Sequence, residues 1–271
     1  MAACSAYPPE LSARMERGDP QAQAFAERMG IALAGTLATL KLAPPESRAA
    51  RIEWPTEHWE KWTQVQKLVL GGGVLSGELG RVIVDTAREW LPRLGVADLQ
   101  LNLFPQPREL MLHGIARQFE NGPVVTLDAG HTAIKRAYAE VSGGEVVSFA
   151  PMPLLPLPTD CRTAEALLDF LVSALLETVP TGQKVAQFGL SLSVHLDEAG
   201  NIDPDSAAGS FWGQLHGLNL VADIESALQQ HLVYACTVKV LHEGQAAVHG
   251  LPDMDASILL GTSVGGALKA E

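Results

Sequence analysis

Three short apolar runs in this chain each end directly in a glycine-containing segment, and this pattern restricts the fold more than any other feature. The segments are residues 71–73, 128–132 and 261–266. After the first of them, residues 75–91 carry the apolar spacing of a helix. A strand, a glycine turn and a helix in succession are typical of α/β proteins, so an α/β fold is predicted.

The rest of the chain agrees with this class. A helix is predicted over residues 20–42, because Asp19 can serve as its N-cap and Pro20 as its first residue. Residues 124–149 predict a three-stranded antiparallel meander. Alternating helices and strands follow, predicted at residues 163–179, 185–194, 219–232, 234–241, 243–249 and 257–260.

The chain length of 271 residues suits one large domain or two small ones. Residues 120–123 form a turn-like Glu-Asn-Gly-Pro segment, after which the pattern becomes rich in strands. The predicted domains are therefore residues 1–119 and 124–271.

Charge and cysteine content exclude several functions. The net charge is −12, which repels nucleic acid and anionic lipid, so neither is expected as a partner. No apolar window is long enough for a membrane span, and no signal peptide is recognised at the N-terminus. The three cysteines lie far apart without CxxC spacing, so no disulfide framework or zinc site is indicated. A soluble protein of a reducing compartment, the cytoplasm, is expected.

The three glycine segments together resemble those of the actin-like ATPase and sugar kinase superfamily. The Asp-x-Gly-x-Thr segment at residues 128–132 resembles its first phosphate motif, residues 261–266 resemble its second, and residues 68–74 resemble its adenosine motif. The resemblance implies a two-lobed, ribonuclease H-like fold that binds ATP and Mg²⁺. It assigns the metal to Asp128, and nucleotide contacts to Gly130, Thr132, Gly261, Thr262, Ser263, Gly265, Gly266, Gly71, Gly72 and Gly73.

Within that superfamily the chain is most similar to the ROK (repressor and kinase) family, but with the motifs in a different order. The adenosine-like half comes first here and the phosphate-like half second, as in a circular permutant. The stretch that carries the family's zinc-binding cysteines and a sugar-binding Glu-x-Gly-His is not found among residues 1–17. Zinc is therefore not expected.

The family's catalytic loop, Asn-Asp-Ala-Asn, corresponds here to His242, Glu243, Gly244 and Gln245. Glu243 stands in the position of the aspartate that acts as general base, and His242 and Gln245 could bind a polyol. Each residue also has a structural interpretation: Glu243 as a residue that complements a helix dipole, and Asp128 as a turn residue.

Three functions remain open from the sequence. The first is an ATP-dependent kinase of a small-molecule substrate, a sugar or related hydroxyl compound. The second is a non-catalytic nucleotide- or ligand-binding descendant, and the third is a hydrolase of ATP or an acyl phosphate. Lys135 and Arg136 are interpreted as one solvated and one inward position on a strand. The role of Trp54, Trp59 and Trp62 is open, although an apolar surface around them would suit a homodimer.

Overall fold

The chain divides into two compact units in the computed structural model. The first unit comprises Met1–Arg108 and Leu251–Glu271, and the second comprises Glu109–Gly250. The structure describes residues 7–158, 161, 163–197, 200–203, 211–261 and 263–269.

Numbered along the chain, the strands are β1 (Lys67–Gly71), β2 (Gln100–Leu103), β3 (Asn121–Ala129), β4 (Ala133–Ser142), β5 (Glu145–Pro156), β6 (Gln187–Leu192), β7 (Thr237–His242), β8 (Ala256–Leu260) and β9 (Val264–Leu268). The helices are α1 (Tyr7–Glu16), α2 (Pro20–Leu42), α3 (Pro45–Ala50), α4 (Thr56–Gln64), α5 (Gly77–Arg93), α6 (Leu110–Ala116), α7 (Ala164–Thr178), α8 (Leu220–His231) and α9 (Glu243–Val248).

The first unit contains a sheet with the strand order β2-β1-β8-β9. Strands β2, β1 and β8 are parallel, whereas β9 pairs with β8 in the antiparallel direction. Helices α2 and α5 supply buried apolar residues to the core of this unit, and β1 and β8 supply the sheet side of it. Apolar burial on one helix face and one sheet face holds the unit together.

The start predicted for α2 is confirmed. Asp19 is its N-cap, and the Asp19 carboxylate accepts hydrogen bonds from the backbone N–H groups of Gln21 and Ala22 at 2.9 and 3.4 Å. These contacts satisfy two of the N–H groups that the first helical turn leaves free. The helix ends at Leu42, and its C-cap Ala43 has a left-handed φ of +44° that carries the chain out of the helical path.

The tryptophan group belongs to the first unit. Trp59 and Trp62 lie on α4 and are 3% and 5% exposed. Trp54 precedes the helix and packs against the Trp59 ring with a centroid distance of 5.0 Å. Two of the three indoles are therefore used within this unit's own interior.

The second unit contains a five-stranded sheet, counted over the described residues, with the order β5-β4-β3-β6-β7. The predicted meander of β3, β4 and β5 is confirmed, and β6 and β7 continue the sheet in parallel with β3. Only β4 runs against the other strands. This mixed sheet with its crossover helices α7 and α8 confirms the predicted α/β, ribonuclease H-like fold class.

The division of the chain differs from the predicted boundary at residues 120–123. Asn121, Gly122 and Pro123 are the first residues of β3, and α6 packs against α9 and against β3 in the second unit. Residues 251–271 join the first unit instead, because β8 pairs with β1. The boundary between the two units is set by pairing between strands that are far apart in the sequence. A turn-like composition at residues 120–123 gives no information about such pairing.

Within the part of the chain that the structure describes, no helix is both long enough and apolar enough to cross a membrane.

Candidate active site

Three polar side chains line up across neighbouring strands of the second unit. Asp128 on β3 is paired in register with Lys135 on β4 and with Ser191 on β6. Residues directly opposite each other on adjacent strands project from the same face of a sheet. The register therefore brings a carboxylate, an ammonium group and a hydroxyl together near the end of β3.

Asp128 is 1% exposed, and both of its carboxylate oxygens have protein donors. Lys135 Nζ lies 2.5 Å from Oδ2, and Ser191 Oγ donates to Oδ1 at 2.9 Å. A buried carboxylate is costly without such partners, and charge-assisted hydrogen bonds are stronger than neutral ones. The lysine and the serine therefore supply a partner for each oxygen of this buried carboxyl group.

Glu243 is the first residue of α9 and lies half-buried, where the charges of Asp128 and Lys135 act on its carboxyl group. The pKa of its carboxyl group is raised from 4.5 to about 7, mainly by burial and also by the negative charge of Asp128, while the positive charge of Lys135 acts in the opposite direction. Burial disfavours the ionised carboxylate because the protein interior solvates charge poorly. Glu243 thus has the acidity of a group that exchanges protons near neutral pH.

His242 precedes Glu243 and is the N-cap of α9, where its Nδ1 accepts a hydrogen bond from the Gly244 backbone N–H at 3.1 Å. Burial and the neighbouring His195 lower the pKa of His242 to about 4. The imidazole is then neutral at pH 7, and with Nδ1 as acceptor its proton resides on Nε2. The rings of His242 and His195 stack with centroids 4.1 Å apart.

Helix α9 is held in place by a close approach to α6. A Cβ atom on Gly114 of α6 would lie 1.6 Å from the carbonyl oxygen of Ala246 on α9, so only glycine allows the two backbones to come this near. A Cβ on Gly189 of β6 would similarly meet Ile115 of α6 at 2.0 Å. The glycines therefore determine the position of α9, and with it the position of Glu243.

The other predicted site residues of the second unit lie at the β3–β4 turn and on α9. Asp128 itself is still within β3, whereas Gly130 and Thr132 are in the turn that follows. The Gly130 carbonyl accepts a hydrogen bond from Trp212 Nε1 at 3.2 Å, and Thr132 is exposed. Gln245, the third residue of α9, is half-buried. The structure thus places Glu243 where the charge of Asp128 acts on its carboxyl group, with His242 immediately before it and Gln245 two residues after it.

The glycines predicted for the adenosine motif lie in the first unit, at the end of β1. Gly71 is the last residue of that strand, and Gly73 begins a 3₁₀ turn. Gly72 adopts a φ of +99°, and a Cβ there would lie 2.3 Å from the Leu260 carbonyl oxygen. The contact with Leu260 by itself requires glycine at position 72.

The segment predicted as the second phosphate loop forms a tight hairpin in the first unit. Gly265 and Gly266 belong to β9 and pair with Leu259 and Ile258 of β8, so they are strand residues and not loop residues. The Gly261 N–H donates to the Ser263 carbonyl at 3.0 Å. Thr262 lies outside the described residues. The antiparallel ladder engages part of the backbone that the sequence interpretation left free for phosphate.

Lys135 and Ser191 are functional candidates that the sequence interpretation missed. Lys135 was expected to be simply a solvated or inward strand position, yet its side chain is 26% exposed and ion-paired with Asp128. The predicted meander already contains the information that pairs Lys135 with Asp128. A short turn between β3 and β4 places the residue seven positions after Asp128 directly opposite it.

The Asp128 carboxylate offers the hard oxygen ligands that Mg²⁺ prefers, and Mg²⁺ commonly binds one or two carboxylates while keeping several waters. Lys135 and Ser191 already contact the two Asp128 oxygens. The donor set therefore fits Mg²⁺ held through water at Asp128. Among the described residues, no group of three or more His, Cys, Asp or Glu side chains is placed to hold a metal ion.

The chain is similar to several solved structures. It is 20% identical to the inorganic polyphosphate/ATP-glucomannokinase from Arthrobacter sp. strain KM, covering 55% of this chain and 58% of that chain with a TM-score of 0.41. It is 18% identical to a hexokinase from Schistosoma mansoni complexed with glucose, covering 55% and 36% with a TM-score of 0.43. A PPX-GPPA enzyme from Aquifex aeolicus is 12% identical, with 80% and 82% covered and a TM-score of 0.37.

The matched part thus spans less than two thirds of the length of the glucomannokinase and of the hexokinase. The sequence matches no protein-family model and no curated protein. At identities of 20% or less, the structural similarities do not place the chain in a single family.

Proposed function

We propose that this protein transfers the terminal phosphoryl group of ATP to a hydroxyl group of a sugar or related small molecule, with Glu243 as the general base. The observation that carries the proposal is the Glu243 carboxyl group, which is half-buried, lies within the electrostatic influence of Asp128 and Lys135, and has its pKa raised to about 7. A general base is most effective when its pKa lies near the working pH.

In the proposed reaction, the Glu243 carboxylate accepts the proton of the acceptor hydroxyl as that oxygen attacks the terminal phosphorus. The bond from phosphorus to the bridging oxygen breaks, and ADP leaves. Positioning and charge stabilisation supply most of the catalysis in such transfers. Mg²⁺, held through water at Asp128, would neutralise charge on the phosphate oxygens.

The neighbours of Glu243 are suited to binding the acceptor. The hydrogen bond that His242 Nδ1 accepts from Gly244 leaves Nε2–H as a donor for a substrate oxygen. Gln245 carries both a donor and an acceptor and lies two residues further along α9. A hydroxyl-rich substrate needs such paired donors and acceptors, which supports a polyol as the acceptor class.

The resemblance to the actin-like ATPase and sugar kinase superfamily supports further parts of the proposal. Gly130 and Thr132 are the proposed phosphate contacts in the second unit. In the first unit the proposed nucleotide contacts are Gly71, Gly72, Gly73, Gly261, Thr262, Ser263, Gly265 and Gly266. The motif order along the chain supports a circularly permuted relationship to the ROK family.

The proposal is tested by the Glu243→Gln variant. ATP consumption is measured with a panel of sugars and polyols, and the variant is expected to lose roughly 10²- to 10⁴-fold in rate, the usual contribution of a positioned general base. ATP binding is expected to be retained. In the wild type, the rate is expected to rise with pH through about 7, because the Glu243 carboxylate is the active form.

Glu165→Gln is the matched control, since Glu165 is an exposed glutamate in the first turn of α7 on the same unit. It is expected to leave the rate unchanged. If Glu243→Gln phosphorylates an acceptor at the same rate as the wild type, Glu243 is not the base.

A further inference from the structure

Lys135 is the charged residue at the candidate site that the proposed chemistry does not use. Its Nζ lies 2.5 Å from Asp128 Oδ2, and its side chain is only 26% exposed. The Asp128 side chain is 2% exposed, so water screens this pair poorly. The ammonium group therefore occupies one edge of the carboxylate that the proposed function assigns to Mg²⁺.

The opposite edge of Asp128 is also occupied. Ser191, which is fully buried, donates to Oδ1 at 2.9 Å. A cation held at Asp128, whether directly or through water, must therefore compete with Lys135 for the same carboxylate. Displacing Lys135 would leave a partly buried ammonium group without its anion, which is costly unless another anion replaces the carboxylate.

Among the described residues, Lys135 has no second carboxylate within ion-pair distance besides Asp128, so the described part of the chain offers no replacement for that anion. A phosphate group, in contrast, carries negative charge and several strong acceptor oxygens, and lysine is a common point-charge partner for phosphate. The chemistry of the missing partner is that of a phosphate.

We infer that Lys135 acts as a built-in counter-ion that keeps a divalent cation away from Asp128 until a phosphate group arrives to take over the ammonium group. This inference rests on the proposed function. It means that metal and nucleotide phosphate bind together, and that metal alone binds weakly. Lys135 is in this sense a positioning residue that acts through Asp128.

The test uses Mn²⁺ alone as the probe, with free Mn²⁺ followed by electron paramagnetic resonance in the absence of any nucleotide. Lys135→Met is expected to bind Mn²⁺ at least tenfold more tightly than the wild type. The gain is expected to disappear in Lys135→Met/Asp128→Asn. Lys135→Arg keeps the positive charge and is expected to resemble the wild type.

Two further variants control for misfolding and for the loss of a lysine elsewhere in the same unit. Lys135→Gln can still donate a hydrogen bond to Asp128, and it is expected to show the same gain if Lys135→Met does not fold. Lys184→Met is the matched control, because Lys184 Nζ lies over the Tyr234 ring in the same unit, 4.4 Å from the ring centroid. It is expected to leave Mn²⁺ binding unchanged.

Equal Mn²⁺ affinity in the wild type and in folded Lys135→Met or Lys135→Gln overturns the inference. That outcome, with ATP turnover intact, leaves the proposed function standing. If the Mn²⁺ affinities follow the expected pattern but no acceptor is phosphorylated from ATP, the proposed function is overturned. The competition between Lys135 and the cation is then still established.

Discussion

Gly114→Ala is expected to destabilise the protein by at least about 3 kcal/mol, because it forces apart two helices that touch through their backbones. The added methyl group would lie 1.6 Å from the Ala246 carbonyl oxygen, which cannot rotate away as a flexible side chain could. Helix α9 would have to shift, and Glu243 at its first residue would shift with it. Urea unfolding measures the loss of stability, and the phosphorylation rate is expected to fall together with it.

The control for this variant is Gly35→Ala within α2, where an added Cβ meets no atom within 4 Å. Alanine at an open helix position is favoured over glycine by about 1 kcal/mol, so this variant is expected to be as stable as the wild type or more stable. A Gly114→Ala protein that unfolds within about 0.5 kcal/mol of the wild type would disprove the close approach of α6 and α9.

The difference in unfolding free energy between Glu243→Gln and the wild type is expected to shift by about 3 kcal/mol in favour of the variant as the pH rises from 4.5 to about 8. The native Glu243 carboxyl has a pKa of about 7, against 4.5 as its ordinary value. Between these values the native state holds a proton that the unfolded state has released. The stability of the wild type therefore falls with rising pH in this window, and glutamine removes that dependence.

The wild-type profile alone would conceal the effect, because His242 acts in the opposite direction. Its pKa is lowered from 6.5 to about 4, so the unfolded state holds the extra proton and stability rises with pH over that range. In Glu243→Gln, the free energy of unfolding is therefore expected to rise with pH between about 4 and 6.5, as His242 dictates. The measurement is urea unfolding of both proteins across the pH range, with Glu165→Gln as the control. A pH-independent difference between Glu243→Gln and the wild type would show that the pKa of Glu243 is not raised.

Local sequence signals predicted the elements of this protein well. Asp19 and Pro20 marked the start of α2, and the alternating residues of the meander predicted β3 to β5. These features depend on capping and periodicity, which act over a few residues. Asp128 and Glu243 became site candidates through the resemblance of their segments to superfamily motifs, and in the structure the charge of Asp128 acts on the Glu243 carboxyl group.

The features that the sequence did not reveal depend on distant pairing. Strand β9 contains two glycines and little intrinsic strand preference, and it forms because it pairs with β8. The unit boundary moved because β8 pairs with β1 across most of the chain. The roles of Lys135 and Ser191 became visible only with the register of three strands.

The most direct test of the proposed function is calorimetric titration of the wild type and Asp128→Asn with ATP, with and without Mg²⁺. The account predicts that the wild type binds ATP, that Mg²⁺ strengthens this binding, and that Asp128→Asn, shown to be folded by circular dichroism, loses the strengthening by Mg²⁺. Absence of ATP binding by the wild type at millimolar concentration, or equal strengthening by Mg²⁺ in the variant, would contradict it.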